Sequence, residues 1–188
     1  VGVLVLRRPD GSTIGLLANY SLHYVGGGDD ERAISADYFG LFSRLIPRMR
    51  GESFVAAISN GACGDINNID VLGGTRPPND RYQNAERVAV RVAAEGVWAW
   101  NSLAFEGNAP VDARMEEVVL HRRPAPSKSD VGRAHEIRAR DRATMAERAF
   151  ARRVLERATG VPERVPTWVQ ALRIGSLSLV GVPGELLV

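Results

Sequence analysis

The chain has 188 residues, of which 45% are apolar and 24% charged, and a formal net charge of +2. This composition suits a globular domain with a sizeable core, and so small a net charge excludes a chain built mainly to hold nucleic acid. One cysteine, Cys63, excludes an intrachain disulfide and a cysteine-rich metal site, and no apolar run reaches the ~18–20 residues of a membrane-spanning helix.

The sequence opens VGVLVLRR, already strand-like and without an initiator Met, and it stops at GVPGELLV. The expectation is one α/β domain over residues 1–188, a piece of a longer polypeptide and incomplete at both ends, so the absence of a targeting segment carries no information about location. Val1–Arg8 is β-branched and apolar, Pro9-Asp10-Gly11-Ser12 is a turn signal, and Thr13–His23 follows, which predicts a hairpin. The second strand is almost continuously apolar (Ile14, Leu16, Leu17, Ala18, Leu22), the pattern of a central strand with helices above and below.

That strand delivers His23, with Asn19 and Ser21, to a glycine-rich loop, Gly26-Gly27-Gly28. A buried strand ending in one imidazole and a loop with backbone freedom is a common way to build a site. The bland alternative is a histidine that only bonds backbone. The glycines lack the GxGxxG pattern and a phosphate-binding lysine, so a nucleotide site ranks low. Ser35 or Ala36 opens a helix to about Met49, with Phe39, Phe42, Leu45, Ile46 and Met49 on its buried face, Ser35 as its cap, Asp37 in its first turn and Pro47 as its kink or end.

Glu52–Ser59 is a further strand. It runs into Asn60-Gly61-Ala62-Cys63-Gly64-Asp65-Ile66-Asn67-Asn68-Ile69-Asp70. A small, polar loop directly after a buried strand is where open α/β sheets place ligand groups. GDINNID lacks the 12-residue pattern of an EF-hand. Cys63 reads as a small buried thiol before it reads as a nucleophile.

After the irregular Gly73–Asn79, Tyr82–Phe105 reads as a helix in which Trp98 and Trp100 cannot share a face. Val111–Arg123 reads as a strand ending near His121, and Val131–Ala158 as one long helix carrying His135 and eight arginines against four acids. Such a face is ordinarily solvated, although its arginines suit an acidic partner or a membrane headgroup. Trp168–Ile174 and Leu177–Val182 form a last hairpin, which ends Pro183-Gly184-Glu185. The strand–helix–strand segments at 13–59 and 52–123 imply crossovers, and with the hairpins a mixed sheet flanked by helices.

Three sheet-end positions are therefore polar: His23, the Cys63–Asp70 loop and Glu185. A histidine and a carboxylate from distant strands suit zinc, with further ligands elsewhere and an open position for water.

These residues resemble, in order, islands of the neutral, non-lysosomal ceramidases and the bacterial proteins that share their N-terminal domain. Asn19-Tyr20-Ser21-Leu22-His23 resembles an Asn-Trp-Phe-x-x-His segment whose His binds zinc. Ser35-Ala36-Asp37-Tyr38-Phe39-Gly40 resembles a helix-opening Ser-x-Asp-x-x-Gly, and Phe54–Asn68 a strand with its Gly-Asp-Val-Ser-Pro-Asn loop. Val180–Leu186 resembles a strand ending Pro-Gly-Glu-Phe, whose Glu also binds zinc. The resemblance implies zinc as cofactor with His23 and Glu185 as ligands, and Asp65 or Asn67 orienting substrate or stabilising the oxyanion. It implies Asn19, Gly26 and Asp37 as substrate contacts, and hydrolysis of an amide in a ceramide-like lipid or other small N-acyl molecule by metal-activated water. Extracytoplasmic placement and contact with a membrane surface go with it. The family's remaining ligands, a His in a His-x-His-Ser-Gly segment upstream and a tyrosine downstream, fall outside these residues. The family's active-site Ser is Asn67 here, its Pro is Asn68, and its His-x-Thr-Ser becomes His23-Tyr24-Val25-Gly26. The competing expectation is a binding or scaffold relative that kept the fold and lost the serine.

Overall fold

The computed structural model describes residues 1–25, 34–69, 82–160 and 162–187. The chain is α/β, and its described strands lie in two three-stranded sheets. It divides into two compact units, Val1–Ala109 with Gly184–Val188, and Pro110–Pro183. The triple-glycine loop, Asp70 and the Gly73–Asn79 stretch lie outside the described residues.

In the first unit β1 (Gly2–Arg7) and β2 (Thr13–Tyr20) form the expected hairpin, with Val5 opposite Leu16 and Val3 opposite Ala18. Its turn closes through Arg8 N–H to the Ser12 carbonyl at 2.8 Å. The Asp10 carboxylate accepts from the Ser12 N–H and hydroxyl, and these bonds hold it below its ordinary pKa. β2 then crosses over through α1 (Asp37–Arg50) to a parallel partner, β3 (Val55–Asn60).

Alternation along the strands puts Val3, Val5, Leu16, Ala18, Ala56 and Ile58 on one face. These residues share a core with Phe42 and Ile46 of α1 and Val92, Ala93 and Trp100 of α2 (Gln83–Asn101). The apolar run of β2 predicts helices on both faces, but burial alternates along it, and on the other face of its neighbour β3, Val55 is 75% exposed. The antiparallel β1 explains the difference, because a sheet with such an edge tolerates one open face. The two tryptophans separate as expected, Trp100 buried and Trp98 exposed, although α2 stops at Asn101 rather than Phe105.

Two details of α1 differ from expectation. Pro47 lies inside the helix, which continues to Arg50 and closes at Gly51, where the Gly51 N–H donates to the Arg48 carbonyl and the Glu52 N–H to the Pro47 carbonyl. The missing N–H of Pro47 costs α1 one i→i−4 bond. The N-cap is Ala36, with no side-chain cap bond, while the Ser35 hydroxyl accepts from the Asp37 N–H at 2.9 Å.

In the second unit β4 (Val111–His121), β5 (Arg164–Ile174) and β6 (Leu177–Gly181) are antiparallel, in that order. The crossover expected over 52–123 is therefore not a parallel unit, since β4 pairs with β5 and not with β3. Pro166 sits within β5 beyond the reach of β6, where one edge needs no donor. The long helix expected over 131–158 is two helices, α3 (Lys128–Ala139) and α4 (Met145–Ala158). Arg140 is extended, and Thr144 opens α4 with a capping box: its hydroxyl accepts from the Glu147 N–H, while the Glu147 carboxylate accepts from the Thr144 N–H. The break folds α4 back so that Ala134 and Ile137 meet Ala151 and Val154 in a small core of their own.

Candidate active site

β2 ends at Tyr20, three residues short of the expected strand, yet the two chain segments that leave β2 and β3 stay side by side. Gly61 N–H donates to the Tyr20 carbonyl at 3.1 Å, and His23 N–H donates to the Ile66 carbonyl at 2.8 Å. His23 pairs with Asn67 in an isolated parallel bridge. Asn68 clamps the pair from its side chain: Oδ1 accepts from the Val25 N–H at 2.7 Å and Nδ2 donates to the Val25 carbonyl at 3.2 Å. Gly61 is required by this approach, since a Cβ there would stand 2.5 Å from Ser21 Oγ and 2.9 Å from Asn19 Oδ1.

The segment after Gly184 docks on the same loop. The Cys63 and Gly64 N–H groups both donate to the Leu186 carbonyl, at 2.9 and 2.7 Å. A Cβ on Gly64 would meet Leu187 Cδ2 at 2.7 Å and the Leu186 carbonyl oxygen at 3.1 Å. This docking sets the Glu185 carboxylate beside the imidazole, with Oε1 2.7 Å from His23 Nδ1, and both side chains are about half exposed, at 50% and 52%. Cys63 Sγ lies 3.8 Å from the same oxygen.

Beneath the loop Tyr38 is fully buried, and its hydroxyl donates to Asn60 Oδ1 at 3.3 Å. Burial pushes this phenol up to about 12, helped by Tyr20 and Cys63. Burial, and then the charge of Glu185, also raise the Cys63 thiol, which leaves it protonated and poorly suited to act as a nucleophile.

Of the residues singled out from the sequence, His23, Glu185, Cys63 and Asn67 converge. Asp65 and Asn67 are on the exposed part of the loop, and the Asn67 amide is occupied locally, Oδ1 accepting from the Ile69 N–H at 2.8 Å. Asn19 turns to the sheet, donating to Ser59 Oγ at 3.0 Å. Asp37 opens α1 with a φ of 45°, and Gly26 lies outside the described residues. Sequence reasoning missed the clamp made by Asn68 and the close approaches at Gly61 and Gly64. An asparagine or glycine in a polar loop carries no sign of its distant partner.

The pair has definite chemistry. With its Nδ1 proton donated to Glu185, a neutral His23 keeps the Nε2 lone pair for a proton or a metal. The adjacent N–H groups of Cys63 and Gly64 form an anion cradle that the Leu186 carbonyl already fills. Among the described residues no three His, Cys, Asp or Glu side chains are grouped to hold a metal ion.

No protein-family model matches the sequence, and no curated protein matches it in sequence. In three dimensions the chain is similar to the neutral ceramidase from Pseudomonas aeruginosa, at 17% identity and a TM-score of 0.63, over 97% of this chain and 34% of that one. It is similar to the same degree to a ceramidase complexed with C2, at 17% identity and a TM-score of 0.64, over 97% of this chain and 36% of the other. The chain spans about a third of the length of each, and what it shares with them is the fold.

Proposed function

We propose that this chain carries part of the active centre of a zinc-dependent hydrolase that cleaves the amide bond of an N-acyl lipid of the ceramide kind. The observation that carries the reading is the 2.7 Å contact between His23 and Glu185, residues from opposite ends of the chain, in a fold shared with two ceramidases. An imidazole nitrogen and a carboxylate oxygen are donors that zinc takes. The two fit as a partial ligand set, the rest of which comes from outside the described residues. Zinc held there supplies a water acidified toward a pKa of ~7 and polarises the scissile carbonyl. With zinc bound, Glu185 is a ligand beside His23; we assign Asp65 and Asn67 to orienting the substrate or stabilising the oxyanion, and Asn19, Gly26 and Asp37 to contacting the substrate.

The test uses the full-length protein, with bound zinc measured by mass spectrometry and hydrolysis by release of a fluorescent fatty acid from an N-acyl sphingosine. His23→Ala and Glu185→Gln are each expected to lower zinc affinity by more than the roughly 10–100-fold that loss of an outer-shell partner costs, and hydrolysis with it. Zinc content unchanged in His23→Ala removes that residue from the metal site.

One observation favours a second reading, a lipid-binding relative without catalysis. Asn67, at the position where the resembled family has serine, engages its carboxamide oxygen with the Ile69 N–H. Lipid binding without zinc or turnover in the unmodified protein would decide for it.

A further inference from the structure

The second unit holds a cleft of about 690 Å³ lined by Arg122, Arg123, Arg153, Arg157, Phe150 and Glu163, among others. Two parts of the fold converge there. Where β4 runs out, Arg122 N–H bonds the Glu163 carbonyl at 2.8 Å and carries the chain into the Pro124-Ala125 linker. From α4, Arg153 and Arg157 stand four residues apart and so share one helix face. The Arg157 guanidinium is fixed by donating to the Pro124 carbonyl at 2.5 Å.

Four arginines and one glutamate thus line the cleft. Among the described residues none of the four has a carboxylate within ion-pair distance, whereas Arg140 and Arg152 of the same helical hairpin pair with Glu147 and Glu156. Like charges lining one cleft repel, and an anion bound there relieves that repulsion. Planar guanidinium forks match the oxygens of a phosphate in geometry and charge. The wall beside them is apolar, made by half-buried Phe150 and buried Val154. We propose that this cleft binds the phosphate group of an organic phosphate with an apolar moiety, drawn either from a soluble ester or from an anionic lipid headgroup.

The two sources are separated by titrating the full-length protein, at physiological salt, with inorganic phosphate, with 1-naphthyl phosphate, and with vesicles of phosphatidylglycerol or phosphatidylcholine. Binding is read by calorimetry and by co-sedimentation. Arg153→Gln removes a cleft charge. Arg152→Gln removes an equal charge from the same helix outside the cleft, at an exposed pair that contributes little to stability. The expected result is that 1-naphthyl phosphate binds more tightly than inorganic phosphate, and that Arg153→Gln weakens it about tenfold while Arg152→Gln changes it less than about twofold. Binding confined to phosphatidylglycerol vesicles with the same dependence on Arg153 assigns the lipid source. The proposal is overturned if neither ligand binds, or if the two substitutions weaken binding equally, which marks a diffuse field rather than a site.

Discussion

The two units bury their apolar surface in different ways. In the first, a three-stranded sheet and two helices share one continuous core that includes Leu16, Ala18, Phe42, Ile46, Val92 and Trp100. In the second, the described core is confined to the α3–α4 hairpin, while strands β4 and β5 leave Val111 at 74%, Met115 at 59% and Trp168 at 51% exposed. A close-packed interior transmits small displacements. The His23–Glu185 contact rests on loops that leave the well-packed sheet, so its geometry depends on that core. The arginine cleft rests on helix ends and a linker, and it gains its character from charge.

The largest effect that tests this contrast is a cavity in each core. Phe42→Ala is expected to cost about 3–5 kcal/mol, because Phe42 is fully buried between sheet and α2. Ile137→Ala is expected to cost roughly 2–3 kcal/mol, toward the low end for such a truncation, because the thinly covered hairpin has room to collapse. Urea unfolding followed by far-UV circular dichroism measures both. A Phe42→Ala loss no larger than that of Ile137→Ala would show that the two cores are equivalent.

Much of the first unit was legible in the sequence for the same reason. Runs such as Ile14–Ala18 and Val55–Ile58 and the spacing of Phe42 and Ile46 are local signals that burial merely enforces. What the sequence did not show depends on partners far away. No residue of β2 reports that one face of the sheet stays open. In α4 the signal was present and unread: Thr144-Met145-Ala146-Glu147 is a capping-box pattern, and it marks the break in what periodicity alone makes one helix. At the site, His23 and Glu185 stood out as single polar groups at strand ends. Their meeting depends on Gly64, where the absent Cβ lets Leu186 and Leu187 approach, and on Asn68, whose amide ties the loop to Val25.

A smaller effect follows from Tyr38, which joins that core to the loop of the site. Its hydroxyl is raised from 10.0 to about 12. Below the unfolded value both states hold the proton and the group adds no pH dependence. Between the two values the unfolded chain releases the proton and the folded chain keeps it, so stability falls as pH rises. The loss between about pH 9 and about pH 11.5 is at most about 2 kcal/mol. Tyr38→Phe removes this contribution, and the urea midpoints of the two proteins, compared at both pH values, measure it. Equal slopes would mean that the phenol titrates as in water. No such dependence is expected from the α3–α4 hairpin, whose core contains no tyrosine.

The smallest effect concerns how each unit starts its helices. α1 and α2 begin at Ala36 and Tyr82 without a side-chain cap bond; both lay broad apolar faces on the sheet, and packing supplies what the caps do not. α3 and α4 bury two residues each and begin with reciprocal capping boxes, Ser127 with Asp130 and Thr144 with Glu147. The cap bonds hold the Glu147 carboxyl below its ordinary value, the Thr144 backbone bond first among the causes, so the contribution of this cap is present near neutrality and fades as pH falls through that lowered value. Thr144→Ala is expected to cost about 1 kcal/mol near neutrality and less in acid, read as a shift of the urea midpoint of the hairpin. A cost that does not diminish in acid would move the effect from the cap to the packing of α4, and would make the helices of the two units alike after all.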